Sequence, residues 1–336
     1  MNQLKVLASI AVAGLALSYA GVARAENYWS DMPGCAKQIT VGSDDRPWVV
    51  GCDAMGTIFY LGKKTECFNG LCLSFPDWKR PPGNGLADFI AVNMSGHPMV
   101  SDRSGELWVG IWQNTGGKSP WELDPATKFW GWKHERTVTN AGATACFRSF
   151  SVAVPSNSLW AIGCGGNPEA TIWRMKPSWQ NSSLTGTMIV PGTGKWFQVG
   201  AEQGDAAHKI TQFSTVSADS VTQNPWAVAV GLLFVYNGSS FDYVPTPADG
   251  SVTYATDGYV VAGGSVYKWN GNIYGRPAAT PWTKIIGPTP LAPIYHIALS
   301  GKLVGGNVRL GPSRLWATDT SGRIYVLAHT SSTDPR

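Results

Sequence analysis

Apolar and polar residues alternate along this chain in short runs, and no window sustains the 3.6-residue apolar period of an amphipathic helix. Ile39-Thr40-Val41, Phe89-Ile90-Ala91-Val92, Phe150-Ser151-Val152-Ala153-Val154, Phe213-Ser214-Thr215-Val216 and Ile294-Tyr295-His296-Ile297-Ala298-Leu299 read as strands. Among them recurs a four-residue phrase of glycine, any residue, an aliphatic and an aromatic. Its instances are Gly56-Thr57-Ile58-Phe59, Gly105-Glu106-Leu107-Trp108, Gly231-Leu232-Leu233-Phe234, Gly264-Ser265-Val266-Tyr267 and Gly322-Arg323-Ile324-Tyr325, with Ala170-Thr171-Ile172-Trp173 as a variant. Asp53, Asp102, Asn167 and Asp319 stand three residues before the glycine position, and Trp48, Trp160, Trp226 and Trp316 lie further upstream. The pattern predicts a hairpin in which an Asx side chain caps the turn and glycine supplies the positive φ.

With no helical layer to cover them, such sheets must cover one another. Setting aside a leader of 25 residues leaves 336 − 25 = 311, or about 52 per phrase over six phrases, the size of a propeller blade. The sequence therefore predicts an all-β, six-bladed β-propeller in one domain, 26–336. Aromatic-to-aromatic steps of 49, 65, 61, 33 and 58 are uneven, so five or seven blades remain as alternatives. Gly271-Asn272-Ile273-Tyr274 competes with the phrase at 264 as the register of the short unit.

The leader is residues 1–25: Lys5, an apolar run from Val6 to Leu17, and the small-x-small site Ala23-Arg24-Ala25, with cleavage expected after Ala25. The run is shorter than the roughly 20 residues that span a bilayer. A secreted or periplasmic location follows, without a membrane span. In an oxidising compartment six cysteines pair. Cys35 and Cys52 are 17 apart and Cys146 and Cys164 are 18 apart, and each second cysteine closes a matching phrase, Trp48-Val49-Val50-Gly51-Cys52 and Trp160-Ala161-Ile162-Gly163-Cys164. The expected disulfides are Cys35–Cys52, Cys146–Cys164 and, by remainder, Cys67–Cys72 around Asn69-Gly70. A zinc site is the rival use of these cysteines, but there is no Cys-x-x-Cys pair.

Composition adds that charged residues are only 14%, against about 25% in an average domain, while 16 tryptophans stand out. The net charge of +4 becomes +2 once Lys5 and Arg24 leave with the leader, too weak a bias for nucleic acid.

The phrases resemble tectonin repeats, the blades of the tectonin and fish-egg lectin families. There, a Trp-x-x-(Val/Ile)-(Pro/Gly) opening leads through alternating and Trp-bearing strands to a turn ending Gly-x-Ile-Tyr. Asp102-Arg103-Ser104-Gly105 and Asp319-Thr320-Ser321-Gly322 look like the turn. Trp196-Phe197-Gln198-Val199-Gly200 and Trp282-Thr283-Lys284-Ile285-Ile286-Gly287 look like the opening, as Trp78-Lys79-Arg80-Pro81-Pro82 does more loosely. The departures are a long insertion at about 112–140, an expanded turn at 165–169 and a unit at 237–275 without its Asp or Trp. The resemblance implies a lectin-like propeller whose partners are glycans or glycoconjugates; a closed ring, with no long sheet edge exposed, suits a monomer, and a non-catalytic protein without cofactor or metal is expected.

Sugar faces stack on aromatic rings while amides and carboxylates take the hydroxyls. The candidate glycan residues are Trp112, Trp121, Trp130, Trp132, Asn114 and His134 in the insertion, beside Lys128 and Lys133. Trp78, Trp196 and Trp282 join them at the openings, where inter-blade packing competes with ligand stacking. Asp53, Asp102 and Asp319 read as turn caps.

A protein–protein interaction propeller is the alternative within binding. Third comes a hydrolase or lyase acting in the channel, for which the constellations are thin: His97, His134, His208, His296 and His329 stand singly, and no hydrolase or nucleotide motif occurs. His296 lies in an alternating strand that could face the channel. Asp44-Asp45 and Asp205 lack a calcium-loop pattern. Asn93, Asn181 and Asn237 fit the N-glycosylation acceptor.

Overall fold

The structure, a computed structural model, describes residues 28–328 apart from 43–45, 69–70, 84, 93–96, 113–128, 136–145, 153–158, 165–171, 176–177, 183–185, 191–195, 200–212, 219–224, 239, 257, 271–280, 286–291, 301–302, 305–307 and 310–313. Within these residues the chain forms six four-stranded antiparallel sheets and no helix.

Blade 6 begins with the N-terminal strand β1 (Tyr28–Met32). Blade 1 comprises β2 (Ala36–Val41), β3 (Pro47–Gly51), β4 (Ile58–Phe68) and β5 (Leu71–Lys79). Blade 2 is β6 (Phe89–Val92), β7 (Pro98–Ser101), β8 (Leu107–Trp112) and β9 (Phe129–Glu135). Blade 3 is β10 (Phe147–Val152), β11 (Leu159–Gly163), β12 (Ile172–Met175) and β15 (Phe197–Val199), with the hairpin β13 (Ser178–Ser182) and β14 (Gly186–Val190) inserted. Blade 4 is β16 (Phe213–Ala218), β17 (Pro225–Ala229), β18 (Leu232–Tyr236) and β19 (Phe241–Val244). Blade 5 is β20 (Val252–Thr256), β21 (Tyr259–Ala262), β22 (Ser265–Trp269) and β23 (Trp282–Lys284). Blade 6 continues with β24 (Ile294–Ser300), β27 (Arg314–Asp319) and β28 (Ile324–Ala328), around a small hairpin β25 (Leu303–Val304) and β26 (Val308–Arg309).

The expected six-bladed propeller is thus the fold, and the short unit uses the phrase at Gly264, which joins β21 to β22. The first strands β2, β6, β10, β16, β20 and β24 each pack on the next around a central channel, and β24 packs on β2. β1 pairs with β28 from Tyr28↔Ala328 to Met32↔Ile324, so both ends of the described chain share a blade and backbone hydrogen bonds close the ring. Closure leaves no first or last blade with a bare face.

Six hydrophobic cores form, one at each seam between neighbouring blades. The second strand of each blade sends a large side chain into the following seam: Trp48, Met99, Trp160, Trp226, Tyr259 and Trp316. The outer strand, or the residue just before it, sends another into the preceding seam: Trp78, Trp132, Trp196, Phe241, Trp282 and Trp29. Two flat twisted sheets meeting face to face leave a gap that wide aromatic rings fill, which is why the tryptophan count is high.

The repeated glycine fastens the seams. Gly56, Gly105, Gly231, Gly264 and Gly322 have φ between +71° and +87°. Their carbonyls accept hydrogen bonds from the amides that open the next inner segment, Ala87 two residues before β6 and Phe147, Val252, Ile294 and Ala36 at the starts of their strands, at 2.8–3.0 Å. Two of the expected disulfides form, Cys35–Cys52 and Cys146–Cys164, with Cα separations of 5.5 and 5.3 Å. Each lies against the turn glycine of the preceding blade: a Cβ on Gly322 would sit 2.3 Å from the Cys52 sulfur, and one on Gly105 2.2 Å from that of Cys146. Cys67 stands opposite Cys72 at the tip of the β4–β5 hairpin, as the third expected pair requires; the Cys72 side chain lies outside the described residues.

Candidate functional site

Aligned on their buried first residue, the six inner segments repeat one plan. Position one is Ala36, Ala87, Phe147, Phe213, Val252 and Ile294, all buried in the seams. Position two is Lys37, Asp88, Arg148, Ser214, Thr253 and Tyr295, all exposed. Between positions one and three the pairing register shifts in five of the six blades, at Ala36/Gln38, Phe147/Ser149, Phe213/Thr215, Val252/Tyr254 and Ile294/His296. A bulge adds one residue and re-aims those around it. The extra residue therefore stands at the channel mouth on one end of the ring, called here the bulge face. The Asx-capped turns and both described disulfides lie at that same end.

Position three follows as Gln38, Phe89, Ser149, Thr215, Tyr254 and His296, and position five as Thr40, Ala91, Ser151, Ser217, Thr256 and Ala298. The upper ring contributes to a cavity of about 470 Å³ at the mouth, lined from all six blades by Gln38, Phe89, Arg148, Ser149, Thr215, Val230, Tyr254, Tyr295 and His296 among others. A smaller cavity of about 70 Å³ continues down the channel past His296, Ser217 and Thr256. There the Ser217 hydroxyl donates to that of Thr256 at 2.9 Å.

His296 is 4% exposed, and neither ring nitrogen has a hydrogen-bond partner among the described residues. Tyr254 packs on its ring at 3.9 Å between centroids and Phe89 meets it edge-on at 6.4 Å. Burial pushes its pKa down to about 3, so the imidazole is neutral around pH 7. Ser149 Oγ and Thr215 Oγ1 are likewise buried without partners among the described residues. Gln38 Oε1 accepts from the Ile90 amide at 3.2 Å, which turns its NH2 group to other use. On the rim, Arg148 donates through Nη2 to the Phe213 carbonyl, and Lys37 donates through Nζ to the Asp53 carbonyl at 3.0 Å. Asp88 faces Arg103 at 3.8 Å.

Apolar exposure is concentrated on this end. Met55, Leu86, Val230 and Tyr295 are the large hydrophobic side chains that stand exposed among the described residues: Met55 and Val230 in turns, Tyr295 at a bulge, and Leu86 on the link into β6, where it bridges Thr57. Val230 is 68% exposed and holds φ at +49°, a conformation that β-branched residues avoid. The equivalent two-residue turn of blade 5 is Gly263-Gly264.

The residues expected to bind glycan are distributed otherwise. Trp196 is 2% exposed and packs on Phe147 at 4.3 Å. Trp78 and Trp282 are half-buried and donate their indole N–H to the carbonyls of Pro33 and Pro245, tying each blade to the link before it. Trp132 was expected in an irregular insertion; it lies on β9 and fills the seam between blades 1 and 2, edge-on to Phe129 at 5.2 Å. Trp112 ends β8 and Trp130 lies on β9, so the insertion is only the connection between these strands. The side chains of Trp112 and Trp130, and all of Asn114, Trp121 and Lys128, lie outside the described residues. His134 stacks with Trp108 at 4.8 Å and faces Glu106 at 3.5 Å.

The three aspartates are caps. Asp319 Oδ1 accepts from the Ser321 amide and hydroxyl and the Arg323 amide at 2.7–3.0 Å, and Oδ2 from the Tyr325 hydroxyl at 2.8 Å. Asp102 does the same with Ser104, Glu106 and the Trp108 indole, and Asp53 with Met55 and Thr57. His97 is a core residue, its Nδ1 2.9 Å from the Gly110 carbonyl. Asp44-Asp45, Asp205, His208 and His329 lie outside the described residues, as does the leader 1–25.

No helix among the described residues is long and apolar enough to cross a membrane. No protein-family model matches the chain, and no curated protein does. Among solved structures, one titled "YCF48 bound to D1 peptide" aligns with a TM-score of 0.44 and 10% identity over 92% of this chain and 97% of that one. Another, "YCF48 from Cyanidioschyzon merolae", aligns with a TM-score of 0.43 and 15% identity over 89% and 98%.

Proposed function

We propose that this is an exported, non-catalytic interaction propeller that receives a polypeptide partner on its bulge face, over the channel mouth. The observation that carries the reading is the exposure of Met55, Leu86, Val230 and Tyr295 at one end of the ring, with Val230 and Tyr295 on the wall of a funnel built by all six blades. Apolar side chains left on one face of a protein with tightly filled seams mark a surface meant to be covered. The backbone strain at Val230 supports it, because strained residues persist where function holds them. Among the described residues the funnel wall carries one imidazole, His296, and otherwise hydroxyl, amide, guanidinium and apolar groups, a lining suited to holding a ligand. Export is supported by the two described disulfides.

The lectin reading rests on the tectonin-like phrases and on Trp112, Trp121, Trp130 and Asn114. Panning a random peptide display library and a glycan array with the oxidised protein separates the two. The interaction reading expects enriched peptides whose binding falls when Met55→Ser and Tyr295→Ser are introduced at unchanged melting temperature. Saturable binding to a glycan, lost on Trp130→Ala and untouched by the bulge-face changes, would restore the lectin assignment and sink this one.

A further inference from the structure

We infer that the funnel is a receptor for a carboxylate presented by a polypeptide, with Arg148 at the rim and Gln38, Ser149, Thr215 and His296 as donors below it. The inference rests on the interaction reading above and names the group that enters the channel. Among the described residues, the wall of the 470 Å³ cavity holds one formal charge, the Arg148 guanidinium, and no Asp or Glu. Arg148 is held in place by its bond to the Phe213 carbonyl and has no ion-pair partner among the described residues. Beneath it, Ser149 Oγ, Thr215 Oγ1 and both His296 nitrogens are buried and unpartnered among those residues, Ser149 and His296 being 3% and 4% exposed. Several buried polar atoms around one cavity call for partners, which water or a polar guest entering the cavity supplies.

The kind of guest follows from what these atoms can do. Each hydroxyl can donate, the neutral imidazole has one N–H to give, and Gln38, its carbonyl engaged by the Ile90 amide, presents its NH2 as well. Donors ringed around a fixed guanidinium complement the lone pairs of a carboxylate, the pairing in which such hydrogen bonds are strongest. A cationic guest would meet no counter-charge among the described lining residues, and a neutral polyol would leave Arg148 unmatched. Phe89, Phe213, Val230, Tyr254 and Tyr295 line the same wall and suit an apolar side chain beside the carboxylate. The source is a chain terminus or an Asp or Glu side chain, and either brings a polypeptide body across Met55 and Leu86.

Two peptide display libraries, one with free C termini and one with the C terminus blocked, test this against the oxidised protein. Enriched peptides are then measured by fluorescence anisotropy as free acid, as C-terminal amide, and with each Asp and Glu changed to the amide. One such removal should weaken binding about tenfold or more; amidation doing so identifies a terminal carboxylate, and Asn or Gln a side-chain one. Arg148→Met and the pair Ser149→Ala/Thr215→Val should weaken it comparably at unchanged melting temperature, and His296→Gln should retain more binding than His296→Phe. Equal affinity in every peptide form, or full binding by Arg148→Met, overturns the carboxylate receptor while leaving the interaction reading intact. No enriched peptide in either library overturns both.

Discussion

Gly105 and Gly322 show how a single residue type is forced by two demands at once. Each turn needs positive φ, at +78° and +87°, and each glycine has a disulfide sulfur where a Cβ would stand, at 2.2 and 2.3 Å. Gly105→Ala should cost about 2–4 kcal/mol in urea unfolding, from the left-handed backbone and the clash together. In a Cys146→Ala/Cys164→Ala background the same change should cost measurably less, because the obstructing sulfur is gone. Val230 presents the opposite case, a bulky residue where glycine or asparagine would suit the +49° backbone. Val230→Asn should raise the urea midpoint by about 1 kcal/mol in stability and weaken peptide capture, the trade expected of a strained functional residue. Titration follows the same logic. His296 is held by burial at about 3, below its ordinary 6.5, so the unfolded chain takes the proton first, and the stability tied to neutral His296 is lost as pH falls from 6.5 toward 3. For Asp102 and Asp319 burial alone would raise the pKa, but hydrogen bonds from Ser104 and Trp108, and from Ser321 and Tyr325, hold both below 3.8. Their contribution is present above 3.8 and lost below it. Stability measured across pH should therefore decline from about 6.5 downward, and His296→Phe should flatten the limb above pH 4 while leaving the lower one.

At the scale of the element, the inner strand is the unit that converts repetition into a site. Five inner strands carry a register shift at the same place, which lifts one residue to the mouth and sets the next on the channel wall. The second element with a distinct task is β1, which supplies the outer strand of blade 6 and the seam residue Trp29. A chain lacking residues 28–32 should expose the edge of β28 and unfold at lower temperature with a broader transition by circular dichroism, and it should self-associate through that edge. An unchanged melting temperature would mean that pairing to β28 contributes nothing to closure.

Over the whole molecule, six seams of similar construction enclose a channel whose wall is far less regular. The architecture was legible in the sequence because it depends on local signals that recur: the glycine phrase, the Asx cap, the tryptophan of the second strand and the matched cysteine spacings. Each obeys a short-range rule of turn geometry or alternation, so repetition made it visible. The site was not legible in that way. Phe89, Thr215 and His296 lie inside runs that the alternation marks and Ser149 just before one, but that pattern carries no sign of the register shift that sets Ser149, Thr215 and His296 on the channel wall. The tryptophans of 112–132 drew attention by density, and Trp132 proved to be a seam residue because β9 is the outer strand of blade 2. What the sequence determined by itself was the all-β class, the number of repeats, the capped turns and two described disulfides, since these arise from residues near one another along the chain. Only the tertiary structure decided which end of the ring carries the exposed apolar side chains and which polar groups face one another across the channel. Those residues come from six blades and more than 250 positions of chain, Gln38 to His296, and closure of the ring alone brings them within reach of a single ligand.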